Sequence, residues 1–142
     1  MRPIWTQVKQ VLTPDECSKI IQICTGIVAP AKFKNESKFG LLHKLKRNSN
    51  VTWITKGSEL DPLLEKIFPV IAQQAFEYHG VLLNSFEAVQ FAEYSVLGHY
   101  GTHRDVGSTG NLRIISASVE LSPNKSYLGG GLWIDCDGLA QP

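Results

Sequence analysis

Polar and apolar positions follow a helical rhythm in the first half of this chain and a strand-like rhythm in the second. Thr13-Pro14-Asp15-Glu16 opens the first periodic stretch. Thr13 suits a helix cap, Pro14 the first helical position, and Glu16 completes a capping box. Ile20, Ile21 and Cys24 then recur at helical spacing, which predicts a helix over about 14–25, with Pro30 as a break beyond it. Residues 31–58 mix basic, polar and apolar positions, and Val51-Thr52-Trp53-Ile54-Thr55 within them predicts a strand. From Asp61 to Tyr78, Leu63, Leu64, Ile67, Val70, Ile71 and Phe76 mark a second helix, which Pro69 should kink or split. Gly80 stands where a helix stop belongs. After it come three strand candidates, Phe86 to Tyr94, Leu112 to Leu121 and Leu132 to Asp135. Gly107 to Gly110 and Gly129-Gly130-Gly131 read as turns. Two helices followed by short strands predict an α+β fold, mainly β, with the helices packed on an antiparallel sandwich or barrel.

Composition narrows this picture. A chain of 142 residues suits one domain, 1–142, and 43% hydrophobic with 19% charged residues argues against disorder. A net charge of +1 makes neither a nucleic acid nor a membrane an expected partner. The basic run Lys44, Lys46 and Arg47 reads as a solvated face. No segment approaches a membrane span, and the residues after Met1-Arg2-Pro3-Ile4-Trp5 are too polar for a secretion signal core. Cys17 and Cys24, seven apart on the first helix, have backbones separated by roughly 10 Å, too far for a disulfide. With Cys136 they read as reduced thiols, and a cytoplasmic location is expected.

The chemistry concentrates in Tyr94-Ser95-Val96-Leu97-Gly98-His99-Tyr100-Gly101-Thr102-His103-Arg104-Asp105. On an extended strand, side chains two apart share a face, so His103 and Asp105 can direct an imidazole nitrogen and a carboxylate oxygen at one point. Two such donors and a second histidine make the facial triad of non-haem iron oxygenases. Alone, His-x-Asp is a weak signal that also describes a surface pair beside a turn. His99, four before His103, would share a helical face with it, but the glycines around it defeat that reading. His43 and His79 carry no partner pattern and read as surface or capping residues. Glycines 129–131 lack the Lys-Ser/Thr of a phosphate loop, so a tight turn is the better reading.

The context resembles a family. Gln90-Phe91-Ala92-Glu93-Tyr94, followed by Tyr100-Gly101-Thr102-His103-Arg104-Asp105, resembles the pattern Q-x-x-x-Y … G-x-x-Y-x-x-H-x-D. Asn111 to Ser122 resembles its R-x-L-S strand, and Tyr127-Leu128-Gly129-Gly130-Gly131-Leu132 its Y-x-G-G-E-L turn. Upstream, Arg47-Asn48-Ser49-Asn50-Val51-Thr52-Trp53-Ile54 resembles R-x-S-x-V-x-W, and Thr13 to Cys17 the opening helix. In order and together, these are similar to prolyl 4-hydroxylase-like, 2-oxoglutarate-dependent iron oxygenases of the bacterial and phage type. The resemblance implies a double-stranded β-helix, or jelly roll, with N-terminal helices on one sheet. It implies iron(II), 2-oxoglutarate as cosubstrate and ascorbate as an accessory, and hydroxylation of a prolyl, other peptidyl or small-molecule C–H bond with release of succinate. His103 and Asp105 match the metal ligands. Tyr94 matches a tyrosine that reaches the cosubstrate, or is a core tyrosine. Ser116 or Ser118 would meet a 2-oxoglutarate carboxylate, or both fill a tapered barrel. Arg47, Trp53 and Tyr100 would border a substrate channel, with packing as the alternative role.

The sequence departs from the family pattern after Asp105. No histidine follows His103, and after Arg113 the only basic residue is Lys125. The expectation is therefore a chain that ends before the distal histidine, the basic residue for 2-oxoglutarate and the last barrel strands. Asp135 or Asp137 as substitute third ligand is the less favoured arrangement. Missing strands would leave sheet edges open to pairing, so a homodimer is expected. The alternative to an oxygenase is a catalytically inactive binding or assembly module on the same scaffold.

Overall fold

A computed structural model describes residues 5–31, 46–105, 113–136 and 139–141; residues 135, 136 and 139–141 are described by their backbone alone. The predicted Gly107–Gly110 turn, His43, Lys44 and Asp137 lie outside the described residues.

Helix α1 spans Pro14–Thr25, as its local signals predict. The Thr13 amide donates to Glu16 Oε2 at 2.9 Å, and the Glu16 amide donates to Thr13 Oγ1 at 3.2 Å. This capping box satisfies two amides that no turn of helix precedes. Ile20 and Cys24, one turn apart, are buried on the inward face. Cys17 and Cys24 are both free thiols, and burial pushes the pKa of each upward.

Helix α2 spans Asp61–His79 as one element, and Pro69 does not split it. Proline removes one backbone bond and crowds the preceding turn, a cost of about 3 kcal/mol. Burial on both sides outweighs it. Leu63, Leu64 and Ile67 before Pro69, and Ala75 after it, are all buried. Gly80 ends the helix at φ 68°, a left-handed conformation that glycine adopts without a Cβ penalty. Its amide donates to Phe76 O at 2.9 Å and that of Val81 to Ala75 O at 3.1 Å.

The strands are antiparallel throughout. Strands β1 (Ala29–Pro30), β3 (Asn50–Ile54) and β4 (Val89–Glu93) form one sheet in the order β1-β3-β4. Strands β2 (Arg47–Asn48) and β5 (His99–Tyr100) pair with each other, as do β6 (Ile134–Cys136) and β7 (Leu139–Gln141). The α+β expectation holds at this level, while the described residues close into neither a sandwich nor a barrel. The segment predicted as a strand over 112–121 forms none at residues 113–121. Its Ile, Val and Ser composition favours extended backbone, but a strand also needs a neighbour to accept its bonds, and none is described beside it.

The β3–β4 register opposes Thr52 to Phe91, Trp53 to Gln90 and Ile54 to Val89. Opposed residues share a face and successive ones alternate. Ile54 and Phe91 therefore turn to the helices, where they join Leu12, Ile20, Cys24, Leu60, Leu63, Leu64 and Ile67 in the core. Trp53 and Gln90 turn the other way. No described helix is long and apolar enough to cross a membrane.

This alternation sets the stability test. Phe91→Ala is expected to cost about 3 kcal/mol in urea denaturation. Trp53→Ala, on the opposite face and 51% exposed, is expected to cost about 1 kcal/mol or less. Equal losses would contradict the two-faced sheet.

Candidate metal centre

The site begins with an interruption between two strand pairs. Residues 47–54 keep residues 89–100 as antiparallel partner, first through β3–β4 and then through β2–β5. Between β4 and β5, residues 94–98 leave the ladder. Leu97 takes a positive φ of 64°, and the Gly98 amide donates to Ser95 O at 2.7 Å. A Cβ on Gly98 would stand 2.7 Å from that same carbonyl, so the turn closes only around glycine. The ladder resumes with Arg47 opposite Tyr100 and Asn48 opposite His99. The Gly101 amide then donates to Lys46 O at 2.7 Å. This anchors the short run that carries His103 and Asp105.

Residues 101–105 are irregular rather than the expected strand, yet the two side chains still meet. His103 Nε2 lies 3.1 Å from Asp105 Oδ1, with each side chain about two-fifths exposed. His103 Nδ1 lies 2.9 Å from Gly101 O. A carbonyl can only accept, so Nδ1 carries the proton of that bond. In the neutral ring Nε2 is then an unprotonated acceptor. It faces a carboxylate oxygen, also an acceptor. A contact of 3.1 Å fits an imidazolium donating from Nε2 to Oδ1, and it equally fits two donor atoms directed at one cation. Two ligands at right angles around one metal, each at about 2.1 Å, would be separated by about 3.0 Å. The residues thus fit two adjacent corners of a metal site. The third corner has no candidate here: among the described residues no group of three histidine, cysteine or acidic side chains could hold a metal.

Neighbours fix this pair. The Tyr100 ring stacks on the His103 imidazole, centroids 3.7 Å apart and planes within 15°. Arg47 lies over the Tyr100 ring at 4.4 Å. Its Nε donates to Ser49 Oγ at 2.7 Å and its Nη2 to Gln90 Oε1 at 2.9 Å. Arg113 Nη1 donates to the Asp105 carbonyl at 3.3 Å, while its other nitrogens hold Glu87 Oε2 at 2.8 and 2.6 Å. This pairing draws the Glu87 carboxyl below its ordinary range and raises Arg113.

Ala31, Arg47, Trp53, Gln90, Tyr100, Asp105 and Arg113 line one cleft of about 260 Å³. Three residues nominated from sequence for a channel, Arg47, Trp53 and Tyr100, thus share its wall with the nominated ligand Asp105. The other nominees do not line it. Tyr94 is 47% exposed at the start of the excursion, and Ser116 and Ser118 are exposed on the segment that forms no strand. Gln90 and Arg113 stand in the quoted motifs but carried no assigned role, and Glu87 carried none either. Gln90 becomes legible only once its register opposite Trp53 is known. Comparison with family models, with curated proteins and with solved structures found no match.

The Glu87–Arg113 pair makes a signed prediction. A carboxyl whose pKa is lowered in the fold stabilises the fold above its unfolded pKa, and that contribution is lost as pH falls through the folded value. In an NMR carboxyl titration Glu87 is expected to titrate below the ordinary glutamate range, and Arg113→Gln is expected to move its midpoint up. An unmoved midpoint would detach Arg113 from Glu87.

Proposed function

We propose that this chain is a non-haem iron, 2-oxoglutarate-dependent oxygenase of the prolyl 4-hydroxylase-like kind, built on a double-stranded β-helix, with His103 and Asp105 as two of its iron ligands. The observation that carries this reading is the convergence of Nε2 and Oδ1 to 3.1 Å with the far ring nitrogen tied to Gly101. The ordered series of motifs supports it, and so does the cleft that opens beside Asp105.

When bound, iron with 2-oxoglutarate and oxygen supplies the oxidation of a C–H bond of a prolyl, other peptidyl or small-molecule substrate. The chain's own residues do the rest. The Gly101 carbonyl holds the imidazole tautomer, leaving Nε2 free to donate its lone pair. The Tyr100 ring restrains rotation of the imidazole. Arg113 holds the Asp105 backbone, and Glu87 holds Arg113. Trp53, Tyr100 and Ala31 give the cleft beside Asp105 part of its wall. A cosubstrate role for Tyr94, Ser116 and Ser118 requires residues 113–121 to join a sheet, and so does the β-helix itself.

One observation favours a second reading, an inactive binding or assembly module on this scaffold. The described residues hold no group of three metal donors.

Manganese(II), which takes the same ligand set without consuming oxygen, separates the two. Its binding, followed by electron paramagnetic resonance, is expected in the parent chain and is expected to vanish in His103→Ala and Asp105→Asn. Iron-dependent succinate formation from 2-oxoglutarate should be assayed on this chain and on any longer product of its reading frame. Metal binding that survives His103→Ala refutes the ligand assignment. No metal affinity and no succinate in either form leaves the inactive module.

A further inference from the structure

Residues 113–121 carry the pattern of a strand without the partner of one. Ile115, Ala117, Val119 and Leu121 fall on one face of an extended run, and Ser116, Ser118 and Glu120 on the other. No residue of the run takes a positive φ that would break it, and Pro123, which has no amide to donate, stops it. The two ends are held, Arg113 by Glu87 and Leu121 against the core. Between them the run is open. Ser116, Ala117 and Ser118 are exposed, and so are Ile114, at 65%, and Val119, at 44%. Among the described residues, no backbone–backbone hydrogen bond reaches the run. Unpaired amides and carbonyls beside apolar side chains are a template for another strand.

The run itself specifies that strand. Ile115-Ser116-Ala117-Ser118-Val119 reads nearly alike in both directions about Ala117. Antiparallel pairing about a two-fold axis reverses the direction of the second strand, so a run of this kind is complementary to itself. We propose that residues 113–121 form the interface of a two-fold dimer, paired antiparallel with the same residues of a second copy and centred on Ala117. Ile115 then opposes Val119 of the second copy, and Ser116 opposes its Ser118, so apolar meets apolar on one face and hydroxyl meets hydroxyl on the other. Glu120 opposes Ile114, and Arg113 opposes Leu121. No like charges face each other, which would be destabilising. Dimerisation does not depend on the metal reading, because neither His103 nor Asp105 lies in the run. Residues 113–121 make an edge about 30 Å long, and one such ladder buries less than the roughly 800 Å² per partner of a stable interface. A dimer that dissociates on dilution is therefore expected.

The test uses the full chain, with sedimentation equilibrium from micromolar to millimolar concentration and amide hydrogen exchange over residues 113–121. A monomer–dimer equilibrium is expected, with protection of these amides that grows with concentration. Ala117→Lys and Ala117→Glu each set like charges against each other at the two-fold axis, and each is expected to weaken self-association about tenfold or more. Ala117 is exposed, so the urea midpoint of the dilute monomer should stay as in the parent chain. Mixing the two variants is expected to restore dimers, since lysine then opposes glutamate. Opposed Cα atoms of an antiparallel ladder lie about 4.5 or 5.5 Å apart, within the roughly 4.4–6.8 Å that a disulfide spans. Ala117→Cys is therefore expected to give a covalent dimer on mild oxidation, above the level of the parent chain, and Ile114→Cys is not. A parent chain that stays monomeric throughout overturns the proposal, and so does a dimer that both charged variants retain. Charged variants that fail to recombine refute the register centred on Ala117. Protection of residues 113–121 that is equal at every concentration shows them covered within one chain, and that also overturns the dimer.

Discussion

The antiparallel pairing of β3 with β4 is the constraint on which the rest of the described structure depends. It is the longest ladder in the described chain, and its alternation divides the side chains into two populations. Ile54 and Phe91 go to the helices and close the core. Trp53 and Gln90, each one residue removed, go to the cleft. A slip of one residue in this register would exchange the two sets. It would bury a glutamine among leucines and carry Phe91 into the cleft. The core therefore fixes the register, and the register fixes which side chains the cleft receives.

The same pairing explains how an irregular segment can hold His103 and Asp105 in a defined arrangement. His103 and Asp105 sit on no strand, but they follow Gly101, whose amide is bonded to Lys46 O at 2.7 Å. Lys46 precedes β2, which is held opposite β5. The excursion at residues 94–98 lets the ladder be interrupted and then resumed, and it is compact because Gly98 has no Cβ to strike Ser95 O. Beyond Gly101, order comes from side chains rather than from a ladder. Tyr100 stacks on His103, the Gly101 carbonyl accepts a hydrogen bond from its Nδ1, and Arg113 reaches the Asp105 carbonyl.

How much of this the sequence disclosed follows from the range of each interaction. Helix ends depend on residues three or four apart, so Thr13, Glu16 and Gly80 announced them directly. The fate of Pro69 did not depend on its neighbours in sequence but on burial at Leu63, Leu64, Ile67 and Ala75, and the local rule misjudged it. Strands announced their positions but not their partners. Residues 51–55 found one in β4, while residues 113–121, of comparable propensity, show none among the described residues. The two-residue strands β1, β2 and β5 are too short for any periodic signal. At the site, the strand argument for His103 and Asp105 met an irregular segment in which the two still converge, and motif context pointed to Arg47, Trp53 and Tyr100. Gln90 and Glu87 act across the fold, on Arg47 and Arg113, and no local pattern assigns them that work.

The charges around the cleft can be weighed against one another. Arg113 is matched by Glu87, which leaves Arg47 and Asp105 as the unmatched charges on the wall. Asp105 faces His103 Nε2 at 3.1 Å, whereas the described contacts of Arg47 are the Ser49 hydroxyl, the Gln90 amide oxygen and the Tyr100 ring, all neutral. Desolvating a guanidinium without a counter-ion is unfavourable, so the bonds from Arg47 to Ser49 Oγ and Gln90 Oε1 and its stacking over Tyr100 offset part of the cost of its half-burial.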